Sequence, residues 1–86
     1  MSIDREIKYR SRRGFLELDL FLSDFIDAES SLMNIDEKKI LLEFLTIDDM
    51  AMLDILQKKI DPPAIYQAVV LHIENFNANK EKNERQ

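Results

Sequence analysis

The sequence has no cysteine, one histidine, one glycine and two prolines among its 86 residues. Without cysteine, the chain can form neither a disulfide nor a thiolate metal site. The single histidine, His72, cannot by itself form a zinc site or a histidine-based catalytic pair. The single glycine, Gly14, excludes the glycine-rich loops that hold nucleotide phosphates. These absences predict no metal or cofactor site of the chain's own, and they favour a helical interaction module over a self-sufficient enzyme.

Long apolar runs are also absent. No run approaches the roughly 18–20 residues that are needed to cross a bilayer. Asp4, Glu6 and several arginines stand where a secretory signal has its apolar segment, and the two acids also count against a mitochondrial transit peptide. We therefore expect a cytoplasmic protein that is not processed and does not insert into membranes.

The net charge of −5 is divided unevenly along the chain. Residues 1–13 carry five basic and two acidic side chains, a net charge of +3, whereas residues 14–57 carry two basic and eleven acidic side chains, a net charge of −9. A basic arm on an acidic body is the wrong arrangement for binding nucleic acid, which needs a basic body. The charge pattern predicts a protein partner of complementary charge instead.

Apolar residues recur at helical spacing throughout, and the sequence has no β-hairpin signal. We predict an all-α fold, a single small five-helix bundle in residues 1–79 followed by a polar C-terminal tail in 80–86. The expected helices cover residues 3–12 and 15–27 and, after a loop over 28–34, begin after Asn34, Asp48 and Asp61. From Asn77 onward the chain is polar, which predicts a frayed end or a tail.

Local signals mark the last three helix starts. Asn34 with Glu37 three residues later resembles a capping box, and Asp48 is a good N-cap. Asp61 precedes two prolines, which combines an N-cap acid with proline in the first helical turn.

The second helix is apolar on most sides, which predicts a central position in the bundle. Its apolar stripe contains Phe15, Leu18, Leu22, Phe25 and Ile26, widened by Leu16, Leu20 and Phe21. The inward positions expected in the later helices are Ile40, Leu41, Phe44, Leu45, Met52, Leu53, Leu56, Ile60, Ile65, Val69, Ile73 and Phe76.

An arginine pair, the glycine and a carboxylate meet where the first helix ends, at Arg12, Arg13, Gly14 and Glu17. One interpretation is a helix junction whose arginine neutralises Glu17 and its neighbours. The other is a surface site, in which Gly14 lets a partner's backbone approach closely while Arg13 and Glu17 supply paired polar contacts. The residues alone leave both interpretations open.

Other candidate sites favour structural interpretations. Asp48 and Asp49 have no nucleophile or metal motif nearby, so we expect a solvated helix start, with an acidic partner-binding patch as the alternative and a catalytic pair as the weakest one. We expect His72 to be a partly buried, hydrogen-bonded structural residue. Met50 and Met52 fit the core better than an adaptable binding groove. The third and fourth helices present acids rather than the basic and amide side chains of a DNA recognition helix.

Residues 13–19 read Arg-Gly-Phe-Leu-Glu-Leu-Asp, which resembles the R-G-x-x-E-L-D signature of the succinate dehydrogenase flavinylation factors, the bacterial SdhE-type proteins and their mitochondrial relatives. The resemblance continues through residues 36–38, 44–45 and 48–56, where the family has a D-D-x-x-L-x-x-W-L segment. Two positions depart from the pattern: Ile55 stands where the family has tryptophan, and Ile60 stands near the place of a common glycine.

The resemblance implies a small five-helix assembly factor that is not itself an enzyme. Such factors bind the flavoprotein subunit of succinate dehydrogenase, and in bacteria often that of fumarate reductase, and promote covalent attachment of FAD to a histidine of that subunit. FAD is then handled through the client subunit. A generic helical protein-binding adaptor or antitoxin-like module with another partner is the alternative. The expected partner-binding residues are Arg13, Gly14, Glu17, Asp19, Asp48 and Asp49.

Overall fold

The computed structural model describes residues 2–84, with side chains described for residues 2–80. Five α-helices and two short 3₁₀ turns, with no strand, make up this part of the chain: α1 (Ile3–Ser11), α2 (Leu16–Glu29), a 3₁₀ turn (Ser30–Leu32), α3 (Ile35–Phe44), α4 (Asp49–Leu56), a second 3₁₀ turn (Ala64–Tyr66) and α5 (Gln67–Glu84). The predicted all-α, five-helix fold is confirmed.

The starts of α3 and α4 follow the predicted local signals. The Asn34 side chain accepts the Glu37 backbone N–H at 2.9 Å, and the Glu37 carboxylate accepts the Asn34 N–H at 3.0 Å, which completes the capping box. The Asp48 carboxylate accepts the Met50 N–H at 3.1 Å and so caps α4. Both predicted N-caps are confirmed.

The start of α5 lies later than the sequence predicts. Asp61 caps no helix, residues 61–63 are non-helical, and a 3₁₀ turn over Ala64–Tyr66 precedes the first α-helical residue, Gln67. Consecutive prolines explain the shift, since a residue before proline avoids the α region and Pro62 is itself followed by Pro63. Pro63 has an extended backbone, with ψ at 147°, and occupies the N-cap position of the 3₁₀ turn.

The end of α5 also lies later than predicted, because the helix continues through Asn77 to Glu84. The Asn77 side-chain amide donates to the backbone carbonyls of Phe21 at 3.0 Å and Ile73 at 2.9 Å, and Lys80 forms an ion pair with Asp24. These contacts tie the polar segment to α2. The division into a domain ending at residue 79 and a tail stays a prediction, and residues 85–86 of that tail lie outside the described residues.

All five helices contribute to one apolar core, which α2 crosses with a buried stripe. The buried apolar side chains are Ile7, Leu18, Leu22, Phe25, Ile26, Met33, Leu41, Phe44, Leu45, Met52, Leu53, Ile55, Leu56, Val69, Val70 and Ile73. Five of the predicted stripe and inward residues lie further out: Ile60 and Ile65 are exposed, and Phe15, Ile40 and Phe76 are half-buried at the edge. Neither Ile60 nor Ile65 lies on an α-helix, since Ile60 precedes the non-helical proline segment and Ile65 lies in the 3₁₀ turn that follows it, so neither is directed into the core.

The predicted central position of α2 holds for its inner side, which packs against α1, α4 and α5, but its outer face is not covered. Leu16 is 73% exposed and Leu20 is 63% exposed. At 100° per residue both side chains lie opposite the buried stripe that contains Leu18, Leu22 and Phe25, so one helix cannot bury both faces in a bundle this small.

Candidate functional site

The corner between α1 and α2 is made by Gly14, whose backbone is left-handed at φ +70°. Residues other than glycine adopt this conformation at a cost. A Cβ placed on Gly14 would have no other atom within 4 Å, apart from its chain neighbours. The glycine is therefore needed within the chain for its backbone angle and not for close internal packing, and the space beside it is open to a partner.

Arg13, next to this corner, makes most of its contacts within the chain. Its Nε atom is 2.6 Å from Asp49 Oδ1, and its terminal nitrogens donate to the backbone carbonyls of Leu45 and Ile47. Only 14% of the side chain is exposed. The structure contains the helix junction that one interpretation expects, but the ion-pair partner of Arg13 is Asp49 rather than Glu17.

The contacts of Arg13 are explained by the helix ends that they join. Leu45 is the C-terminal cap residue of α3, and the carbonyl groups at a helix end have no partner within the helix. A guanidinium there satisfies two carbonyls and favourably faces the negative end of the helix dipole. Asp49 is the first residue of α4, so Arg13 fastens the α1–α2 corner to the α3–α4 junction.

Asp19 supports the same corner from α2, since its half-buried carboxylate accepts the Arg13 backbone N–H at 3.4 Å. Glu17 is different, because its carboxylate is exposed and accepts a hydrogen bond from the neutral amide of Gln57 at 3.2 Å. Among the residues that the structure describes, Glu17 has no ion-pair partner. With respect to the described residues, Glu17 therefore presents an unpaired negative charge three residues after Gly14.

The two adjacent acids at the start of α4 have separate tasks. Asp48 is exposed and caps the helix, whereas Asp49 pairs with Arg13. The structure thus brings Arg13, Gly14, Asp19 and Asp49 together in one network, with Glu17 at its outer edge. Asp48 adjoins this network through the chain but shares none of its hydrogen bonds.

His72 is half-buried, as predicted. Its Nε2 atom lies 2.9 Å from Glu29 Oε1, and its ring meets the Phe25 ring edge-on with the centroids 5.0 Å apart.

Met52 is a core residue as expected, but Met50 is 55% exposed on the outer side of α4.

No group of three or more His, Asp or Glu side chains within the described range could hold a metal ion. None of the helices, as far as they are described, is long and apolar enough to span a membrane.

Sequence analysis missed the exposed leucines of α2 and the contacts of Arg13. The spacing of Leu16 and Leu20 against the buried stripe could have revealed the leucines. Nothing local could have revealed the Asp49 partner, which is 36 positions away.

Comparison with known proteins adds independent findings. Residues 5–77 match the family model described as flavinator of succinate dehydrogenase. The chain is also similar to the FAD assembly factor SdhE of Francisella tularensis subsp. tularensis (strain SCHU S4 / Schu 4), with 39% identity over 85 residues that cover 94% of this chain and 88% of the relative. No solved structure matches the chain significantly.

Proposed function

Since the chain belongs to the family of flavinators of succinate dehydrogenase and is an assembly factor for FAD attachment, we propose that it acts by binding the flavoprotein subunit through the corner at Gly14. The proposal is carried by two neighbouring features: the open space beside the Cα of Gly14, and the carboxylate of Glu17, which has no ion-pair partner among the described side chains. A client backbone can approach the glycine closely while a client cation meets the carboxylate.

The six predicted contact residues have unequal roles in this proposal. Gly14 and Glu17 touch the client. Arg13, Asp19 and Asp49 act mainly by holding the corner in position, since their polar groups already bond one another. Asp48 contributes through the start of α4 and extends the surface as an exposed carboxylate.

The chain contributes position rather than a reacting group. When bound to the client, FAD supplies the electrophilic flavin, and a histidine of the client supplies the nucleophile. A rigid corner that binds one part of the client can hold these two groups in attack geometry. Holding reacting groups in this orientation can lower the activation free energy substantially. We assign the chain no catalytic residue and no cofactor of its own.

The proposal includes two finer points that rest on the family resemblance. The flavoprotein subunit of fumarate reductase is a second client of the same corner, and the encounter takes place in the cytoplasm. In both cases the client carries the FAD.

The test mixes the apo flavoprotein subunit of succinate dehydrogenase with FAD, with and without this protein, and measures covalent flavin by its fluorescence in a denaturing gel. Wild-type protein should increase covalent flavin. Folded Gly14→Arg and Glu17→Ala variants should not, whereas Glu74→Ala, which removes a carboxylate from α5, should act like the wild type. No stimulation of a competent subunit would overturn the proposal and favour an adaptor with another partner.

A further inference from the structure

We infer that the client surface continues from Gly14 along the outer face of α2, where Leu16 and Leu20 form an apolar ridge. The ridge takes an apolar segment of the flavoprotein subunit that carries a basic group beside it. This inference rests on the proposed function, because it names the chemistry of the client that the same corner binds.

Exposure is the first observation behind the ridge. Leu16 and Leu20 lie one helical turn apart and are 73% and 63% exposed, and half-buried Phe21 adjoins them at the edge of the core. Surface leucines are common singly, but two on one stripe next to a partly open phenylalanine make a continuous apolar surface.

Continuity with the corner is the second observation. Leu16 lies between Gly14 and Glu17 in the chain and is exposed like both of them, so the ridge begins beside the corner. Leu20 lines a shallow hollow together with Glu17, Phe21 and Asn77. The ridge and the corner therefore share Glu17 and form one surface.

Charge identifies the occupant. The two acids further along the outer face of α2 have partners, since Asp24 pairs with Lys80 and Asp27 lies 4.0 Å from Lys8. Within residues 2–80, whose side chains are described, the Glu17 carboxylate contacts only the neutral Gln57 amide. A client segment that covers the leucines either leaves the Glu17 carboxylate in contact with water or must place a cation beside it. A lysine or arginine of the client next to the apolar contact would supply that cation.

Another exposed leucine offers a matched control. Leu71 is 56% exposed on α5 and lines a separate groove with Ile60 and Pro62. This groove is lined by neither Gly14 nor Glu17, so Leu71 lies apart from the ridge.

The experiment measures the affinity of the purified chain for the apo flavoprotein subunit by titration calorimetry. Leu16→Ser and Leu20→Ser should each raise Kd about tenfold, which is the effect of losing one well-buried leucine side chain at an interface. Leu71→Ser should leave Kd unchanged. Helical circular dichroism and thermal unfolding confirm that each variant is folded, as expected for changes at exposed positions.

The outcomes separate this inference from the proposed function. If the wild type binds, Gly14→Arg does not and the two ridge variants bind like the wild type, the ridge is wrong while the corner stands. If the wild type fails to bind a competent subunit, the proposed function itself is wrong, and the ridge falls with it.

Self-association is tested by light scattering. A wild-type dimer that Leu20→Ser converts to a monomer without altering client affinity would assign the ridge to a second copy and overturn the inference.

Discussion

Arg13 shows how a residue in a signature motif can serve the fold and the site together. The guanidinium is largely buried, bonds two carbonyls near the end of α3 and pairs with Asp49 at the start of α4. A planar fork can meet three acceptors at once, whereas a lysine ammonium offers a single point of charge. The corner that presents Gly14 and Glu17 therefore depends on an arginine that is itself mostly hidden.

We expect Arg13→Ala to lower the free energy of unfolding by about 2–3 kcal/mol, because it removes charged hydrogen bonds and leaves Asp49 without a partner. Arg13→Lys should restore only part of this loss. Urea unfolding measures both, with Arg12→Ala at the exposed neighbouring arginine as the control. If the midpoint of urea unfolding were the same for Arg13→Ala as for the wild type, these contacts would not hold the corner.

Lys58 is the only residue other than Gly14 with positive φ in the described part of the chain, at +64°. It follows α4, and the N–H groups of Lys58 and Lys59 return to the carbonyls of Ile55 at 3.0 Å and Asp54 at 2.8 Å. This is the Schellman pattern, in which glycine usually occupies the left-handed position.

We expect Lys58→Gly to raise the free energy of unfolding by about 0.5–1 kcal/mol, since glycine relieves the cost of the left-handed backbone. Lys59→Gly should give no gain, because Lys59 is not left-handed. Equal or lower stability of Lys58→Gly in urea would contradict this interpretation of the turn.

At the scale of the elements, sequence predicts what is local. The caps at Asn34 and Asp48 involve bonds within three residues, and both were predictable. The two ends of α5 could not be predicted. Its start depends on how Pro63 constrains the backbone of Pro62, and its C-terminal extension depends on contacts between Asn77 and α2. In the candidate site, the glycine corner was predictable from sequence, but the pairing of Arg13 with Asp49 exists only in the folded chain.

The Asn77 amide links α5 to α2 by donating to one carbonyl on each helix. Asn77→Ala should lower the free energy of unfolding by about 1 kcal/mol and should speed hydrogen exchange of the backbone amides in the last turns of α5. Asn79→Ala, at an exposed position of the same segment, serves as the control. Unchanged exchange in Asn77→Ala would mean that the amide does not fasten the helix end.

The whole molecule carries its charge asymmetrically, with a basic N-terminal segment (residues 1–13, which contain α1) next to an acidic body. Some of the basic groups already have partners, since Arg10 pairs with Glu6 and Lys38 of α3 pairs with Asp4 of α1. A client that meets both regions must itself present both signs, with acids toward α1 and a base toward Glu17.

If α1 steers the encounter, the association rate with the flavoprotein subunit should fall as salt rises. Neutralising Arg5, Lys8 and Arg10 together should flatten that dependence, whereas neutralising Lys58 and Lys59 should not. Stopped-flow measurements over a range of salt concentrations give both slopes. An unchanged slope after the triple change would show that α1 does not steer association.

The central claim is that Gly14 meets the client, and Gly14→Asn tests it most directly. Asparagine tolerates the left-handed backbone better than other side chains, and the space around Gly14 is open, so the variant should stay folded. The measurement is covalent FAD on the apo flavoprotein subunit, with Lys58→Asn as the matched change at the other left-handed position. We predict a large loss of covalent FAD with folded Gly14→Asn and none with Lys58→Asn. Wild-type attachment by Gly14→Asn would contradict the account, because Gly14 would then be needed for its backbone angle alone.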